Sequence, residues 1–419
     1  MKSIRPSEIN GGVYAPPSKS MTIRAIAAAL LSEGTTEIIN PSFCDDSQRA
    51  MGIAESLGAK IKIDREGSRI VVEGNPGLKG PILDKKLECG ESGLCMRMFA
   101  PIVCLSQKEF TLTGQGSLLK RPMKILEDLT LLGASCKTEK GFPPIIVKGP
   151  IRGGKITTDA SVSSQFLTGL LIALPLCLYD SIIDVIDLKS MPYVRMTLSL
   201  LNAFGISITH NKAMNRFTVR GNQRYRPCIY RVEGDWSGAA FILVAGAIGG
   251  SVFVKGLDLD SPQADKAILE VLKNSGARVT IDNDSVIVER DRLCAFQFDA
   301  THCPDLFPPL VALASACEGK SIIYGSMRLR HKESNRSKAL ASEFAKLGIK
   351  VEQFSDRIEV TGGKVKGGSI NPHNDHRIAM ACAVAGIKGM DETKIEDCDC
   401  VSKSYPDFFS HLEMLKEGI

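Results

Sequence analysis

Several features are scarce in this chain, and each absence excludes something. One Trp and 6% aromatic residues among 419 leave no stacking platform for single-stranded nucleic acid. A formal net charge of +5, from 52 Lys and Arg against 47 Asp and Glu, is too small for a general polyanion binder. The longest apolar stretches, Phe166 to Tyr179 and Phe241 to Val254, fall short of the ~20 residues that span a bilayer. Pro175 and Gly246, Gly249 and Gly250 interrupt them, so they read as buried core and no membrane is implied. No apolar segment follows the basic residues of MKSIRPSEINGG, so nothing directs secretion and a cytoplasmic location is expected. Thirteen Cys, an odd number without regular spacing, fits a reducing compartment. Cys398-Asp-Cys400 and His373-x-x-His376 each lack a second ligand pair, so no metal is expected. There is no GxxxxGK[ST] loop and no strand–GxGxxG–helix, so neither ATP nor a dinucleotide, nor any other cofactor, is implied. No serine lies in a GxSxG context and no His is placed to act as its base, which argues against a Ser-His-Asp hydrolase.

What the chain does have is a repeat. Helix-like stretches ending in glycine recur at Gly58, Gly133, Gly205, Gly276, Gly348 and Gly418, spaced by 75, 72, 71, 72 and 70 residues. Each glycine suits the left-handed position at a helix end. After each of the first five comes a β-prone run, a turn and a second β-prone run: RIVVEG, IIVKG, RFTVRG, SVIVER and RIEVTG. A second landmark keeps the same period. Small polar or acidic residues, Ser20, Ser92, Ser164, Ser237, Asp305 and Asp375, precede strongly apolar helical stretches and read as N-caps of buried helices. About six copies of one unit, mixing strands and helices, predict an α/β protein of two domains with three units each.

Equivalent units bring equivalent helix N-termini, where unsatisfied N–H groups and a partial positive charge favour anions. Basic residues sit near those ends: Lys19 and Arg24, Arg97, Lys332 and Arg336 around Glu333, and Arg377. A cation at a helix start opposes the dipole and therefore asks for an anion. Serines at 18, 20, 161, 163 and 164, with Gln165, add donors. Asp305 and Glu333, embedded among cations, are expected to stay ionised and to be available as acid or base.

The motifs PPSKSMTIR, LTGQGSLLKRP, SVSSQFLTGLLIALP, KSMPYVRMT, HCPDLFPPLVALA, LRHKESNR, NDHRIAMA and KSYPDFF occur in order along the chain. Together they resemble the 5-enolpyruvylshikimate-3-phosphate synthase family of enolpyruvyl transferases. The resemblance implies two pseudo-threefold domains, each of three βαβαββ repeats, over 18–232 and over 1–17 plus 233–419, with an active site in the cleft between them. It implies transfer of the enolpyruvyl group of phosphoenolpyruvate to the 5-hydroxyl of shikimate 3-phosphate, the sixth step of chorismate biosynthesis, by a monomer without cofactor.

Carried over position by position, the resemblance implies that Lys19, Ser20, Arg24, Ser163, Ser164, Ser190, Tyr193, Asp305 and Lys332 bind shikimate 3-phosphate. Lys19, Gly93, Arg121, Gln165, Arg336, Arg377 and Lys403 would bind phosphoenolpyruvate, and with Arg24 and Lys332 the two sets give seven cations to one cleft. Asp305 is the implied base, with Glu333 and Lys19 exchanging the proton at C3. This chain departs from the family at Glu91-Ser92-Gly93-Leu94, Ser117, Arg328 and Asn335. Gly93 keeps the small residue that leaves room for a glyphosate-type phosphonate. The related transferase acting on UDP-N-acetylglucosamine usually carries a loop Cys, which Gln115 to Pro122 lacks. A non-catalytic anion-binding protein is the other alternative.

Overall fold

A computed structural model of the chain describes residues 1–282 and 284–418. The polypeptide divides into two compact units, Pro17–Val232 and a second made of Met1–Pro16 with the chain from Glu233 onward. The division falls one residue before the expected one, for local reasons. Asp235 N–H donates to the Pro16 carbonyl and Ala15 N–H to that of Lys255, while Ser18 already accepts from Met21 N–H in the first helix.

Each unit contains three small sheets among the described residues; five of the six share one plan, a strand parallel to a second followed by two antiparallel neighbours, and the sixth has three strands with a single antiparallel neighbour. In the sheet of Gly154–Asp159, the register runs from Gly154 opposite Ser181 to Asp159 opposite Ile186, and Ile183 then faces Phe217 across the antiparallel pair. Two strands come from far along the chain. Ile229–Arg231 pairs with Thr35–Ile39 in the first unit, and Ile9–Tyr14 pairs with Gly250–Lys255 in the second. The sixth repeat ends in the helix Phe408–Glu417 instead of a hairpin, and Lys2–Ile4 supplies the antiparallel strand on Thr393–Ile395. That pairing is why the first residues belong with the C-terminal unit.

All six glycines of the repeat adopt positive φ, between 71° and 94°, as helix termini that reverse into a strand require. The apolar stretches form the buried helices Lys19–Leu31, Gly93–Val103, Gln165–Ala173, Trp236–Gly249, Phe307–Ala316 and His376–Gly386. Each unit has its own hydrophobic core around three of them. The second copy's outer helix, Lys124–Leu132, is 3₁₀ throughout, because Leu126, Leu129 and Leu132 recur every third residue and a three-residue turn buries all of them.

The caps differ from the expected ones at four places. Ser18 caps the first helix, with Ser20 inside it; Asp235 caps Trp236–Gly249, with Ser237 inside. Asp305 lies within a 3₁₀ turn, Pro304–Leu306, that feeds the next helix and caps nothing. Prolines at 308 and 309 start that helix without N–H donors, so a side-chain acceptor has less to satisfy there. Ser92 and Asp375 do cap, accepting from Cys95 N–H and Arg377 N–H, whereas at Ser164 it is the neighbouring Ser163 hydroxyl that accepts, from Gln165 N–H. The arginines near these helix starts sit at different depths: Arg336 and Arg377 are the first and second residues of their helices, but Arg24 and Arg97 lie a turn inside. Helical side chains lean toward the N-terminus, which returns the Arg24 guanidinium to the Ser20 carbonyl at 2.8 Å. No described helix is long and apolar enough to cross a membrane.

Candidate active site

The implied site residues fall into two sets, one in each unit. In the first unit, the helices starting at Lys19, Gly93 and Gln165 carry Lys19, Ser20, Arg24, Gly93, Arg97 and Gln165 at or near their N-terminal ends. Gly169 lets two of these helices touch, since a Cβ there would lie 2.7 Å from the Met98 carbonyl oxygen. That contact brings Arg97 Nη1 to within 2.8 Å of Gln165 Oε1. Gly93 faces the same group: an added Cβ would sit 2.8 Å from Arg97 Nη1, 2.9 Å from Arg121 Nη1 and 3.5 Å from Gln165 Oε1. Arg97, Arg121, Gln165 and Gly93 are therefore one cluster, and Arg97 belongs in it although its role was not assigned from sequence.

Lys19 Nζ pairs with Asp46 Oδ2 at 3.0 Å, both largely buried. Asp46 was missed because a DD pair opening a helix reads as ordinary dipole compensation. Ser190 adopts a left-handed conformation, φ 55°, before the helix Met191–Ala203, and Tyr193 lies in that helix's first turn. Thr197, one turn further, receives a 3.0 Å hydrogen bond from Arg24 Nε. Arg24 is 1% exposed, yet among the described residues no ion pair involves it. Burial pulls its guanidinium down to about 10, partly offset by Tyr193 and Tyr230, so it keeps its charge at neutral pH.

In the second unit Arg336 is the hub. Its Nη1 donates to Asp305 Oδ1 at 2.9 Å, its Nη2 to Glu333 Oε2 at 2.5 Å and its Nε to Asp375 Oδ2 at 2.9 Å. Lys332 Nζ lies 3.2 Å from Asp305 Oδ1, and Arg377 Nη2 lies 3.2 Å from Asp305 Oδ2. Burial alone would raise the Asp305 carboxyl, but Arg377, Lys332 and Arg336 outweigh it and hold the group well below the usual carboxylate range. Lys332 is pulled down, by burial first and then by Arg336 and Arg328, against Asp305. Lys403 Nζ donates to the Asn374 carbonyl at 2.7 Å, reaching a loop adjoining Asp375. Four of the seven expected cations thus have carboxylate partners in this structure: Asp305, Glu333 and Asp375 pair with Lys332, Arg336 and Arg377, and Asp46 with Lys19.

This arrangement of buried arginines, a paired lysine and an aspartate between three cations coincides with a sequence match. The family model for EPSP synthase (3-phosphoshikimate 1-carboxyvinyltransferase) matches residues 4–412. The chain belongs to the EPSP synthase family. Its curated relatives include the 3-phosphoshikimate 1-carboxyvinyltransferase of Clostridium novyi (strain NT), 38% identical over 98% of this chain and 96% of that one. The enzyme of that name from Clostridium kluyveri is 36% identical over 99% and 96% of the two chains. Among solved structures, an EPSP synthase from Acinetobacter baumannii matches with a TM-score of 0.82 at 26% identity, over 99% of this chain and 97% of that one.

One acid of this EPSP synthase family member escaped the sequence reading altogether. Asp265, almost fully buried, accepts a 2.6 Å hydrogen bond from Ser237 Oγ. Burial, reinforced by Asp305, pushes its carboxyl up to about 6, against the opposing effects of Arg377 and of the Ser237 bond. No sequence signal distinguishes it from a surface acid of the segment SPQADKAILE. A raised folded-state value means that the protonated acid contributes stability that is fully present below its unfolded value, near 3.9, and is lost as pH rises through about 6. Asp265→Asn is therefore expected to flatten this part of the pH profile. Relative to the variant, the wild type should lose roughly 2–3 kcal/mol between about pH 4 and 6. Denaturant titrations of both proteins across that range check it, and parallel profiles would count against the assignment.

A second expected outcome concerns Gly93. Gly93→Ala places a methyl group within 3 Å of two guanidinium nitrogens, closer than contacts normally allow. Either arginine must shift by a few tenths of an ångström, and a displaced charge-assisted bond of 1.5–3 kcal/mol corresponds to roughly a 10- to 100-fold rise in KM for the anion held there. Steady-state kinetics with each substrate varied separately measures the rise, which should be confined to one of the two.

Proposed function

We infer that this chain transfers the enolpyruvyl group of phosphoenolpyruvate to the 5-hydroxyl of shikimate 3-phosphate and releases phosphate, a reading supported by its relatives' name, 3-phosphoshikimate 1-carboxyvinyltransferase. The observation that carries this reading is Arg24: a buried guanidinium hydrogen-bonded, among the described residues, to the neutral oxygens of Ser20 and Thr197 favours an anionic ligand. Lys19, Ser20, Arg24, Ser163, Ser164, Ser190 and Tyr193, all in the first unit, suit a phosphorylated polyol carboxylate, with Lys332 as a further cation. Gly93, Arg121, Gln165, Arg336, Arg377, Lys403 and Lys19 suit phosphoenolpyruvate. In this proposal both sets of residues act on one pair of substrates.

Chemically, C3 of phosphoenolpyruvate takes a proton, from Glu333 or Lys19, and the 5-hydroxyl oxygen attacks C2 as Asp305 takes its proton. A tetrahedral ketal results. Loss of a C3 proton and cleavage of the C2–O bond to phosphate then restore the enol ether. Arg336 and Arg377, held by protein carboxylates in this structure, gain an alternative partner when a substrate anion arrives. Cations that shift part of their field onto that anion depress Asp305 less, and its basicity rises when it is needed. Thirteen free thiols support a reducing, cytoplasmic setting, and a monomer remains the proposed state. Sensitivity to a glyphosate-type phosphonate belongs to the same proposal through Gly93. The UDP-N-acetylglucosamine reading is disfavoured because the loop around the 3₁₀ turn Gly116–Lys120 carries Ser117 and Leu118 and no thiol nucleophile.

A phosphate-release assay tests the inference. Release is expected only with both phosphoenolpyruvate and shikimate 3-phosphate present and without added metal. No release with both, but release with UDP-N-acetylglucosamine, would transfer the assignment to the related transferase. Anion binding without turnover would leave a binding protein.

A further inference from the structure

Glu91 stands just ahead of the helix Gly93–Val103, and the structure gives it a set of contacts. Its Oε2 accepts a 2.8 Å hydrogen bond from Ser117 N–H, across 26 residues of sequence. The neighbouring Gly116 has φ +54°, and a Cβ there would lie 2.6 Å from the Glu91 carboxyl carbon and 2.7–2.8 Å from its oxygens. Only a residue without a side chain lets the carboxylate lie this close over the loop backbone. A backbone bond of 2.8 Å from Gln115 N–H to the Gly90 carbonyl runs alongside, and Leu118 is fully buried beneath. Ser117 in turn accepts, at its Oγ, a 3.3 Å hydrogen bond from Arg121 Nη2. At the far end of the loop Arg97 Nη2 donates to the Pro122 carbonyl at 2.9 Å.

These contacts form one connected device: carboxylate, Ser117 backbone, Ser117 hydroxyl, Arg121 guanidinium. We propose that Glu91 is a positioning residue that latches the loop 114–122 and thereby sets where Arg121 presents its guanidinium to phosphoenolpyruvate. The proposal deepens the transferase reading and rests on it for the identity of the ligand. Physically, a carboxylate accepting a backbone N–H is a charge-assisted bond, stronger than a neutral one. Its acceptor is held at a turn that also leads into the helix capped by Ser92, so the loop is referenced to the same helix end that carries Gly93 and Arg97. Glu91 touches no reacting atom in this scheme; it acts through Ser117 and Arg121.

Three proteins test it: wild type, Glu91→Ala and Glu91→Gln. The glutamine keeps an acceptor for Ser117 N–H and removes the charge. Loss of a charge-assisted bond predicts roughly a 10-fold or greater rise in KM for phosphoenolpyruvate in Glu91→Ala. KM for shikimate 3-phosphate and kcat should stay within about two-fold, and Glu91→Gln should restore most of the loss. Amide hydrogen exchange at Ser117, read on the full chain without substrate, should be faster in Glu91→Ala and near wild type in Glu91→Gln. An unchanged Ser117 exchange rate in Glu91→Ala overturns the latch. A rise in both KM values together, or a glutamine variant as impaired as alanine, overturns the positioning role. If the wild type releases no phosphate while the exchange pattern holds, the transferase reading has failed and the latch has not.

Discussion

Asp305→Asn is expected to lower turnover by about 10²- to 10⁴-fold, the usual contribution of a general base. The asparagine fills the same volume and still accepts from Lys332 and Arg336, so a loss of that size would report the missing proton acceptor. The structure changes what the alanine variant means. As a cap, Asp305 would have been worth about 1 kcal/mol, and Ala a nearly neutral truncation. In fact its two oxygens lie against Arg336, Lys332 and Arg377, so Ala removes a counter-charge from a buried guanidinium as well as a base. The expected signature is therefore graded: Asn, which keeps an acceptor but loses the counter-charge, loses turnover and part of the stability, and Ala loses turnover and more of the stability. The depressed carboxyl adds a pH criterion. A group whose folded value lies below its unfolded one contributes stability that is present above about pH 4 and is lost as pH falls through the lower folded value. The Asn variant should thus be relatively less acid-labile than wild type below about pH 4. Turnover of Asn within a few-fold of wild type would remove Asp305 from the chemistry and leave it as a counter-ion.

The repeat was legible in the sequence because its markers obey local rules. Glycine at φ near +90° and an apolar run behind a polar residue need no knowledge of the rest of the chain. What one cannot read locally is where distant strands go. Lys2–Ile4 and Ile9–Tyr14 are short, carry few apolar residues, and owe their places to partners almost 400 and about 240 residues away. Site residues show the same divide. Lys332, Glu333 and Arg336 are visible as a cluster because they are neighbours in the chain. Asp46 and Asp265 are invisible, since an acid acquires meaning only from the cation or hydroxyl it meets, here Lys19 and Ser237. The count of cations was legible, and so was the placing of Asp305 and Glu333 among them; the pairing of Asp375 with Arg336 was not. Even the caps illustrate the limit: a serine two residues from another offers the same sequence signal, and only the entry angle of the backbone decides that Ser18 and not Ser20 accepts from the helix.

Asp375→Ala is expected to be the most destabilising single truncation in the second unit's cluster. Asp375 and Arg336 are both 0% exposed, and the carboxylate performs three tasks at once. It accepts from Arg336 Nε at 2.9 Å and Nη2 at 3.3 Å, from Ser334 Oγ at 3.0 Å, and from Arg377 N–H at 3.1 Å as the cap of its helix. Removing one partner of a buried ion pair typically costs 3–5 kcal/mol, because the other charge is left without compensation. Here Asp305 and Glu333 still hold Arg336, which argues for the lower end, and the lost cap adds about 1 kcal/mol. For a unit of this size that corresponds to a fall of roughly 6–15 °C in the thermal midpoint. Asp375→Asn keeps a cap acceptor and a neutral acceptor for Arg336, so it should lie between. Catalysis should suffer separately from stability: with its Nε and one Nη2 donor released, Arg336 swings toward Asp305 and Glu333, and the two guanidinium groups lose their fixed spacing. A KM defect for phosphoenolpyruvate measured well below the variant's melting temperature would show this second effect. A midpoint within about 2 °C of wild type would mean that Asp305 and Glu333 alone neutralise Arg336, and that Asp375 is no more than a helix cap.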